Sequence, residues 1–285
     1  MIPMKFLFGM ILLTLVLGLK AQNEINTPFI QHLVNRGDYR EALFLLNKVG
    51  EDQAENYSDS IHYLKGWAHY SLKELTPSTA SFLKVNANSN YYLKSHFFAG
   101  YNQIHLSDYS QATTILNGIR HNGRLVQPLK ELQLAGIDLL NHRYSNAETR
   151  LALIDSTYSP LHQPLINLKL ITADMKLHRS KSPLLAGVMS AIIPGSGKIY
   201  AGKTGQGIST FISTIGFGLI TWENYRKLGP AHIKTIAFGA AFAGNYLSNI
   251  YGSAVAAKIV EDEYKSTMHN QILFNLHIPL RNIFE

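Results

Sequence analysis

The stretch GYNQIHLSDYSQATTIL, from Gly100 to Leu116, has the clearest helical pattern in the first half of the chain. Ala112 follows the small residue Gly100 by twelve positions, Tyr109 stands three residues before Ala112, and Leu116 stands four residues after it. Apolar residues at helical spacing on both sides of a short polar break indicate two helices joined by a turn. Small residues allow the two helices to approach closely, so the stretch predicts one helix-turn-helix unit.

This skeleton recurs in the first half of the chain. Three further stretches share it and begin at Ile30, Gly66 and Ala135. The residues expected at the small position of the second helix are Ala42, Ala80, Ala112 and Ala147. In the Gly66 stretch this choice places two extra residues and Pro77 in the turn. A helical hairpin that recurs at such spacing cannot bury its apolar stripe alone and must stack on its neighbours.

The recurring unit resembles the tetratricopeptide repeat, and the resemblance covers roughly 150 residues. It implies a helical solenoid over residues 23–180, in which the stretch from Ser159 is a capping helix or a degenerate fifth unit. In that family the first helices line a groove that holds peptides or partner helices. Carried over by position, the groove residues are Tyr63, Trp67, Tyr70, Lys94, Phe97, Tyr101 and His105. The alternative is that these aromatic side chains pack between helices as ordinary core.

The residues after Lys181 have a different character, with long runs that carry no charge. Their lengths predict a membrane module over residues 181–265, with a half-helix at 184–193 and spans at 205–222 and 235–257. The alternation of apolar and polar residues from Ile272 to Leu280 predicts a short strand or an interfacial tail within residues 266–285.

Small residues recur every fourth position in the third apolar run, at Gly244, Ser248, Gly252 and Ala256. In lipid, small faces let helix backbones touch, so this stripe predicts the seam between the two spans. Asn245 and Asn249 lie one helical turn apart on the same run. A polar amide in lipid requires a partner, so they are expected to make interhelical hydrogen bonds or to line a transport path.

The stretch AIIPGSGKIYAGKTGQG, residues 191–207, contains a match to the phosphate-loop pattern G-x-x-x-x-G-K-[ST]. A phosphate loop requires a buried strand before it and a carboxylate for Mg²⁺ elsewhere. Pro194 and the helix-like residues before it favour a tight turn between membrane segments instead. Tyr200, Lys198 and Lys203 then serve as anchors at the lipid headgroups.

The same stretch resembles the first turn of small bacterial membrane modules related to the two-transmembrane-helix domain family. The matching residues are Pro194, Gly195, Gly197, Tyr200, Gly202 and Gly207. The resemblance extends to about Tyr264 and implies an envelope protein of the Bacteroidota type, in which such modules follow tetratricopeptide-like repeats.

The N-terminus bears on the compartment. Lys5 precedes fourteen uncharged residues, Phe6–Leu19, which predicts a signal peptide over residues 1–21, with an uncleaved anchor as the alternative. A cleaved signal places the repeat domain in the periplasm and the module in the inner membrane.

Composition limits the chemistry. The chain has no cysteine, and its histidines show no metal-ligand spacing, so we expect no metal, cofactor or catalytic residue. The net charge of +7 is spread along the chain without the basic, aromatic-interleaved face of a nucleic-acid module.

The sequence therefore predicts an all-α, non-enzymatic scaffold or adaptor, anchored to the membrane, that binds a protein or peptide partner through a repeat groove. Two other classes stay open. One is a transport or channel component whose membrane helices form a homo-oligomer around Asn245 and Asn249. The other is a phosphate-loop nucleotide-binding protein.

Overall fold

A computed structural model describes residues 27–48, 58–120, 123–155 and 159–284, and the predicted signal peptide lies outside these ranges. The predicted all-α class is confirmed, since these ranges contain thirteen helices and no strand. The helices are α1 (Thr27–Arg36), α2 (Tyr39–Lys48), α3 (Ser58–Ser71), α4 (Leu75–Phe82), α5 (Tyr92–His105), α6 (Tyr109–Gly118), α7 (Val126–Leu140), α8 (Tyr144–Ala152), α9 (Ser159–Leu177), α10 (Pro183–Ile192), α11 (Ser196–Tyr200), α12 (Thr204–Leu228) and α13 (Ile233–Phe284).

The described residues divide into two compact units. One, the repeat unit, contains the described residues up to Asn167 together with those from Asn275 onward. The other, the apolar unit, contains Leu168–Phe274. The division differs from the boundary expected near residue 180 in two respects: it falls within α9, after Asn167, and the last residues of α13 belong with the repeat helices.

Helices α1 to α8 form four consecutive pairs with the same turn. One residue in each turn has a left-handed backbone, and these residues, 34 to 36 positions apart, are Gly37, Lys73, Ser107 and His142. In the third turn the N–H of Ser107 donates to the carbonyl of Ile104 at 3.0 Å, and that of Asp108 donates to Gln103 at 2.9 Å. The other three turns repeat this pattern, which satisfies the last carbonyls of a helix. The chain thus repeats one helical hairpin four times.

The small position of the second pair is Ser78 and not Ala80, so the prediction of two extra residues in this turn was wrong. Ser78 follows the left-handed Lys73 by five residues, as the alanines follow the corresponding residues of the other pairs. It is fully buried, and its Oγ donates to the carbonyl of Gly66 at 2.8 Å, whereas Ala80 is exposed. A serine can fill a small buried position when its hydroxyl has a backbone acceptor.

The second and third pairs each close with a large side chain packed on a glycine. A Cβ added at Gly66 would lie 2.4 Å from the ring of Phe82, and one at Gly100 would lie 2.8 Å from Leu116. Phe82 and Leu116 are themselves fully buried. These contacts join residues sixteen positions apart, and the hydrogen bond from Ser78 to Gly66 joins residues twelve positions apart, so the spacing of the sequence corresponds to direct contact between paired helices.

The end of the chain is helical. Helix α13 runs through Pro279 to Phe284, so the strand alternative predicted for this segment was wrong. The alternation that suggested a strand also places Ile272, Leu276 and Leu280 four residues apart, on one helix face, and all three are fully buried.

The apolar unit contains the predicted membrane segments. Helix α10 matches the half-helix predicted at 184–193, and the spans predicted at 205–222 and 235–257 lie within α12 and α13. Among the helices that the structure describes, none has an apolar stretch long enough to cross a membrane. The prediction of helices is confirmed here, and the prediction of two crossings is not.

Candidate functional site

The residues predicted to line the partner groove lie on the first helices of two neighbouring pairs. Tyr63, Trp67 and Tyr70 are on α3, and the remaining four, Lys94, Phe97, Tyr101 and His105, are on α5. The structure brings most of them together in two groups. The side chains of the first group contact one another, and those of the second contact the last residues of α13.

The first group is an aromatic stack with a cation. The ring of Tyr63 stacks on Tyr91, with centroids 4.4 Å apart, and on Trp67 at 6.4 Å. The Nζ of Lys94 lies 4.1 Å from the Trp67 ring centroid and 5.3 Å from that of Tyr63. A cation over aromatic faces is attracted by their quadrupoles, which fixes the position of this lysine.

The second group contacts residues 275–284 of α13, which we call the C-terminal segment. The ring of Tyr101 stacks on that of His277 with centroids 5.0 Å apart, and a 2.6 Å hydrogen bond joins the Tyr70 hydroxyl to His277 Nε2. The ring of Phe97 lies 5.8 Å from that of Phe284. Three of the seven predicted residues therefore hold a helix of the chain itself.

His105 is placed differently. It is exposed, and its ring meets the edge of Tyr101 at 6.3 Å. It is therefore at the margin of the face that holds the C-terminal segment.

Burial of Tyr101 raises the pKa of its phenol to about 12. The cause is desolvation, which disfavours the charged phenolate. The ring that stacks on His277 therefore stays neutral across the physiological range.

Sequence reasoning missed four residues that complete this face. The ring edge of Phe98 meets His277 at 6.4 Å, and a Cβ added at Gly136 would lie 2.4 Å from Leu276. The amide of Gln133 donates to the backbone carbonyl of Leu276 at 2.8 Å. The amide of Asn167 donates to Asn275 Oδ1 at 2.8 Å.

One signal could have found the missing contacts. Buried leucine and isoleucine recur at helical spacing in residues 272–280, so a helix-period reading would have given this segment an apolar face that needs a partner. No local pattern indicates which surface that partner is. We call the surface formed by Tyr70, Phe97, Tyr101, Gln133 and Gly136 the groove face.

The glycine-rich turn of the apolar unit brings backbones into contact. A Cβ added at Gly197 would lie 1.9 Å from the carbonyl oxygen of Ala186, and one at Gly195 would lie 2.1 Å from that of Gly207. Gly195 also has a positive φ of 84°. Only glycine fits such positions, which accounts for the spacing of the motif.

The remaining residues of the turn motif have separate roles. Pro194 follows the end of α10, and Gly202, with φ of 87°, ends α11. The hydroxyl of Tyr200 accepts the N–H of Ser182 at 3.0 Å, and Lys198 Nζ donates to Thr210 Oγ1 at 2.8 Å.

The residues that match the phosphate-loop pattern are mostly helical. Residues 197–204 make up most of α11, a turn and the first residue of α12, and helix α10 precedes them. The described ranges contain no strand that could feed a phosphate loop.

The buried stripe of α13 lies one residue beyond the predicted one. Gly244 and Ser248 are exposed, and a Cβ at Gly244 would meet nothing within 4 Å. Gly252 lies beside Lys198, and Ala256 borders the buried core. The face that packs carries instead Asn245, Asn249, Ser253, Ala257 and Glu261.

Both asparagines of this face make interhelical hydrogen bonds. Asn249 Oδ1 accepts the N–H of Gly195 at 3.0 Å, and its Nδ2 donates to the carbonyl of Ser190 at 3.1 Å. Asn245 Oδ1 accepts from Thr214 Oγ1 at 2.7 Å. Asn249 is 2% exposed, so both ends of its amide bind protein. Of the two roles predicted for Asn245 and Asn249, interhelical hydrogen bonds or the lining of a transport path, the structure shows the hydrogen bonds.

No group of three His, Asp or Glu side chains suited to a metal ion occurs in the part of the chain that the structure describes. Comparisons with family models, with curated proteins and with solved structures gave no match. The groove face and the surface of the apolar unit are therefore the candidate functional surfaces of the described residues.

Proposed function

We propose that this chain is a membrane-associated adaptor of a bacterial envelope. Its repeat unit binds a helical segment of a protein partner, and its apolar unit attaches to a lipid bilayer. The observation that carries the proposal is the C-terminal segment on the groove face, because this face holds a helix through ring stacking, backbone recognition and close packing at a glycine.

The resemblance to tetratricopeptide repeats supports the same use of this face. Stacked helical hairpins present the first helices of successive pairs on one surface, and an amphipathic helix recognised there contributes anchors at helical spacing. Buried aromatic residues at the centre of such a surface are the type that dominates binding energy.

Two features of the apolar unit support attachment to lipid. Large side chains lie exposed on it, among them Leu184 at 78%, Ile192 at 75% and Ile212 at 65%. Residues 168–274 also contain eleven Lys and Arg against five Asp and Glu. Exposed apolar patches mark interaction surfaces, and an excess of cations suits an anionic leaflet.

Vesicle flotation tests the lipid part of the proposal. The full chain is expected to float with vesicles that contain an anionic phospholipid, and an Ile212→Ser, Leu219→Ser double variant is expected to lose most of this binding. Both residues are exposed, at 65% and 63%, so the variant keeps its fold. The matched control is Leu106→Ser, Leu153→Ser on exposed positions of the repeat unit. Equal flotation of both variants would exclude the surface of α12.

Site-specific crosslinking tests the partner part. A photoreactive aromatic residue replaces Trp67, which is half-buried on α3, and a control carries it at the exposed Ala80 on α4. In intact cells, position 67 is expected to crosslink to a helical segment of a partner, mapped by mass spectrometry, and position 80 is not. The same products from both positions would contradict the proposal.

A further inference from the structure

The occupant of the groove face defines what this face recognises. Contacts from three repeat pairs and from α9 converge on ten residues of α13. The face supplies rings for His277, a gap at Gly136 for Leu276, and a ring for Phe284. These are side-chain pockets in register with one helix, which is more selective than a flat apolar surface.

The helix held by this face contains a proline. Pro279 has no N–H to give the carbonyl of Asn275, and its ring crowds the preceding turn of helix. Gln133, fully buried on α7, donates to the next carbonyl, that of Leu276, at 2.8 Å. This buried side-chain amide holds the helix in one register, one residue beyond the carbonyl that Pro279 leaves without its intrahelical donor.

The centre of the contact is polar and aromatic. The imidazole of His277 has one hydrogen bond to Tyr70 and stacks on Tyr101, and it is only half-buried. An aliphatic side chain at this position would leave the Tyr70 hydroxyl without this partner. The site therefore selects a histidine or a similar ring that can form a hydrogen bond.

The repeat pairs close without the C-terminal segment. Phe82 and Leu116, both fully buried on the second helices of their pairs, pack on Gly66 and Gly100 of the first helices of the same pairs. Removal of the segment uncovers the groove face and leaves these contacts in place.

We propose that the partner of the groove face is a proline-containing amphipathic helix with the anchors that Leu276, His277, Pro279, Leu280 and Phe284 supply. Residues 275–284 are the chain's own copy of this ligand, and a partner binds by displacing them. This inference rests on the proposed function and names the chemistry of the partner. A tethered copy acts at an effective concentration of about millimolar, so it sets the affinity that a partner must exceed.

Peptide binding to the full chain tests the inference. The probe is a fluorescent peptide with the sequence of residues 269–284, titrated with wild-type chain and with a Leu276→Ala, His277→Ala variant. The variant is expected to bind the peptide at least about tenfold more tightly, the change that follows from a loss of about 1.4 kcal/mol in the affinity of the resident copy. A Gln133→Ala change added to this variant is expected to reverse the gain.

Two controls make the result specific. A peptide with Pro279→Ala and His277→Ala is expected to bind the opened variant at least about tenfold more weakly, since both recognised features are absent. Equal affinity of the two peptides, or no gain over wild type, would overturn the inference.

Hydrogen exchange of the wild-type chain keeps the inference testable if the double variant does not fold. Amides of residues 275–284 are expected to exchange by local opening, faster than those of α5 and α7. Equal protection would make the segment a permanent part of the repeat core and would overturn the inference. Neither assay contains lipid or a partner protein, so both can fail while flotation and crosslinking at position 67 succeed.

Discussion

The repeat unit and the apolar unit differ in the kind of internal packing that stabilises each of them. In the repeat unit several large apolar side chains, among them Phe82, Phe97 and Phe98, are fully buried. In the apolar unit Leu184 and Ile192 are exposed by more than 70%. The buried apolar cluster described there consists of three small residues, Ala186, Ala201 and Ala257.

The proposed attachment of the apolar unit to lipid would account for this difference. In water, burial of large apolar side chains drives folding at about 25 cal/mol per Å². In lipid that gain is small, and helices associate through close backbone contact and hydrogen bonds. The glycine turn and the paired asparagines of the apolar unit are contacts of the second kind.

The largest expected effect tests the repeat unit. Phe82→Ala is expected to lower its free energy of unfolding by about 3–5 kcal/mol, since a fully buried ring leaves a cavity. The chain has one tryptophan in each unit, Trp67 and Trp222, so a Trp222→Phe background makes fluorescence report on the repeat unit alone. Denaturant titration measures the change.

The matched control for this change is Leu153→Ala, at a position 70% exposed, which is expected to alter stability by about 0.5 kcal/mol or less. Similar losses at both positions would show that the repeat unit does not depend on its large buried rings.

An intermediate effect tests the apolar unit through two glycines with the same backbone conformation. Gly195 and Gly202 have φ of 84° and 87°, but only a Cβ at Gly195 would collide with a neighbour. Gly202→Ala is expected to cost about 1–2 kcal/mol from backbone strain alone. Gly195→Ala is expected to cost about 1–3 kcal/mol more, from overpacking.

The measurement is denaturant titration in lipid vesicles, with Trp222 as the reporter in a Trp67→Phe background. Equal costs at the two glycines would mean that backbone contact at Gly195 does not hold this unit together.

The smallest expected effect concerns Glu261 on α13, whose carboxylate accepts hydrogen bonds from residues that follow α9. Burial raises the pKa of Glu261, but hydrogen bonds from His178, from the Lys181 backbone and from Ser180 outweigh it and leave the pKa below its ordinary value of 4.5. A lowered carboxyl pKa stabilises the folded state above the ordinary pKa, and this stability is lost as the pH falls through the lowered one.

Glu261→Gln is therefore expected to cost on the order of 1 kcal/mol at neutral pH and progressively less below the ordinary pKa of the carboxyl group. Unfolding of the wild type and the variant as a function of pH, followed at Trp222, measures this gap. The exposed Glu263→Gln is the control. A gap that stays constant down to acid pH would rule out the charge of Glu261 as its cause.

The sequence predicted the features that recur and missed those that occur once. The step from Gly100 to Ala112 has a physical cause, the contact between paired helices, so it could be recognised several times. Ser78 broke the pattern of alanines because a serine also fits a small buried position when its hydroxyl has a backbone acceptor. The position of a small residue in the hairpin was therefore more informative than its identity.

The sequence predicted the repeat residues of the candidate site but not the C-terminal residues that they contact. Tyr70, Phe97 and Tyr101 follow from repeat position, but their partner His277 lies far along the chain, and nothing local connects them. In α13 the predicted stripe was one residue off because small residues occupy two adjacent faces. The choice between these faces depends on where Ser190 and Gly195 lie, and that is set by the turn between α10 and α11.

The contact between Tyr70 and His277 joins residues 207 positions apart. A ribosome adds about 5–20 residues per second, so α3 leaves it about 10–40 s before His277 is made. During that interval the aromatic face of a nascent chain has no internal cover. A chaperone or a partner present at the site of translation would meet it first, and the order of synthesis would then decide which helix the face holds.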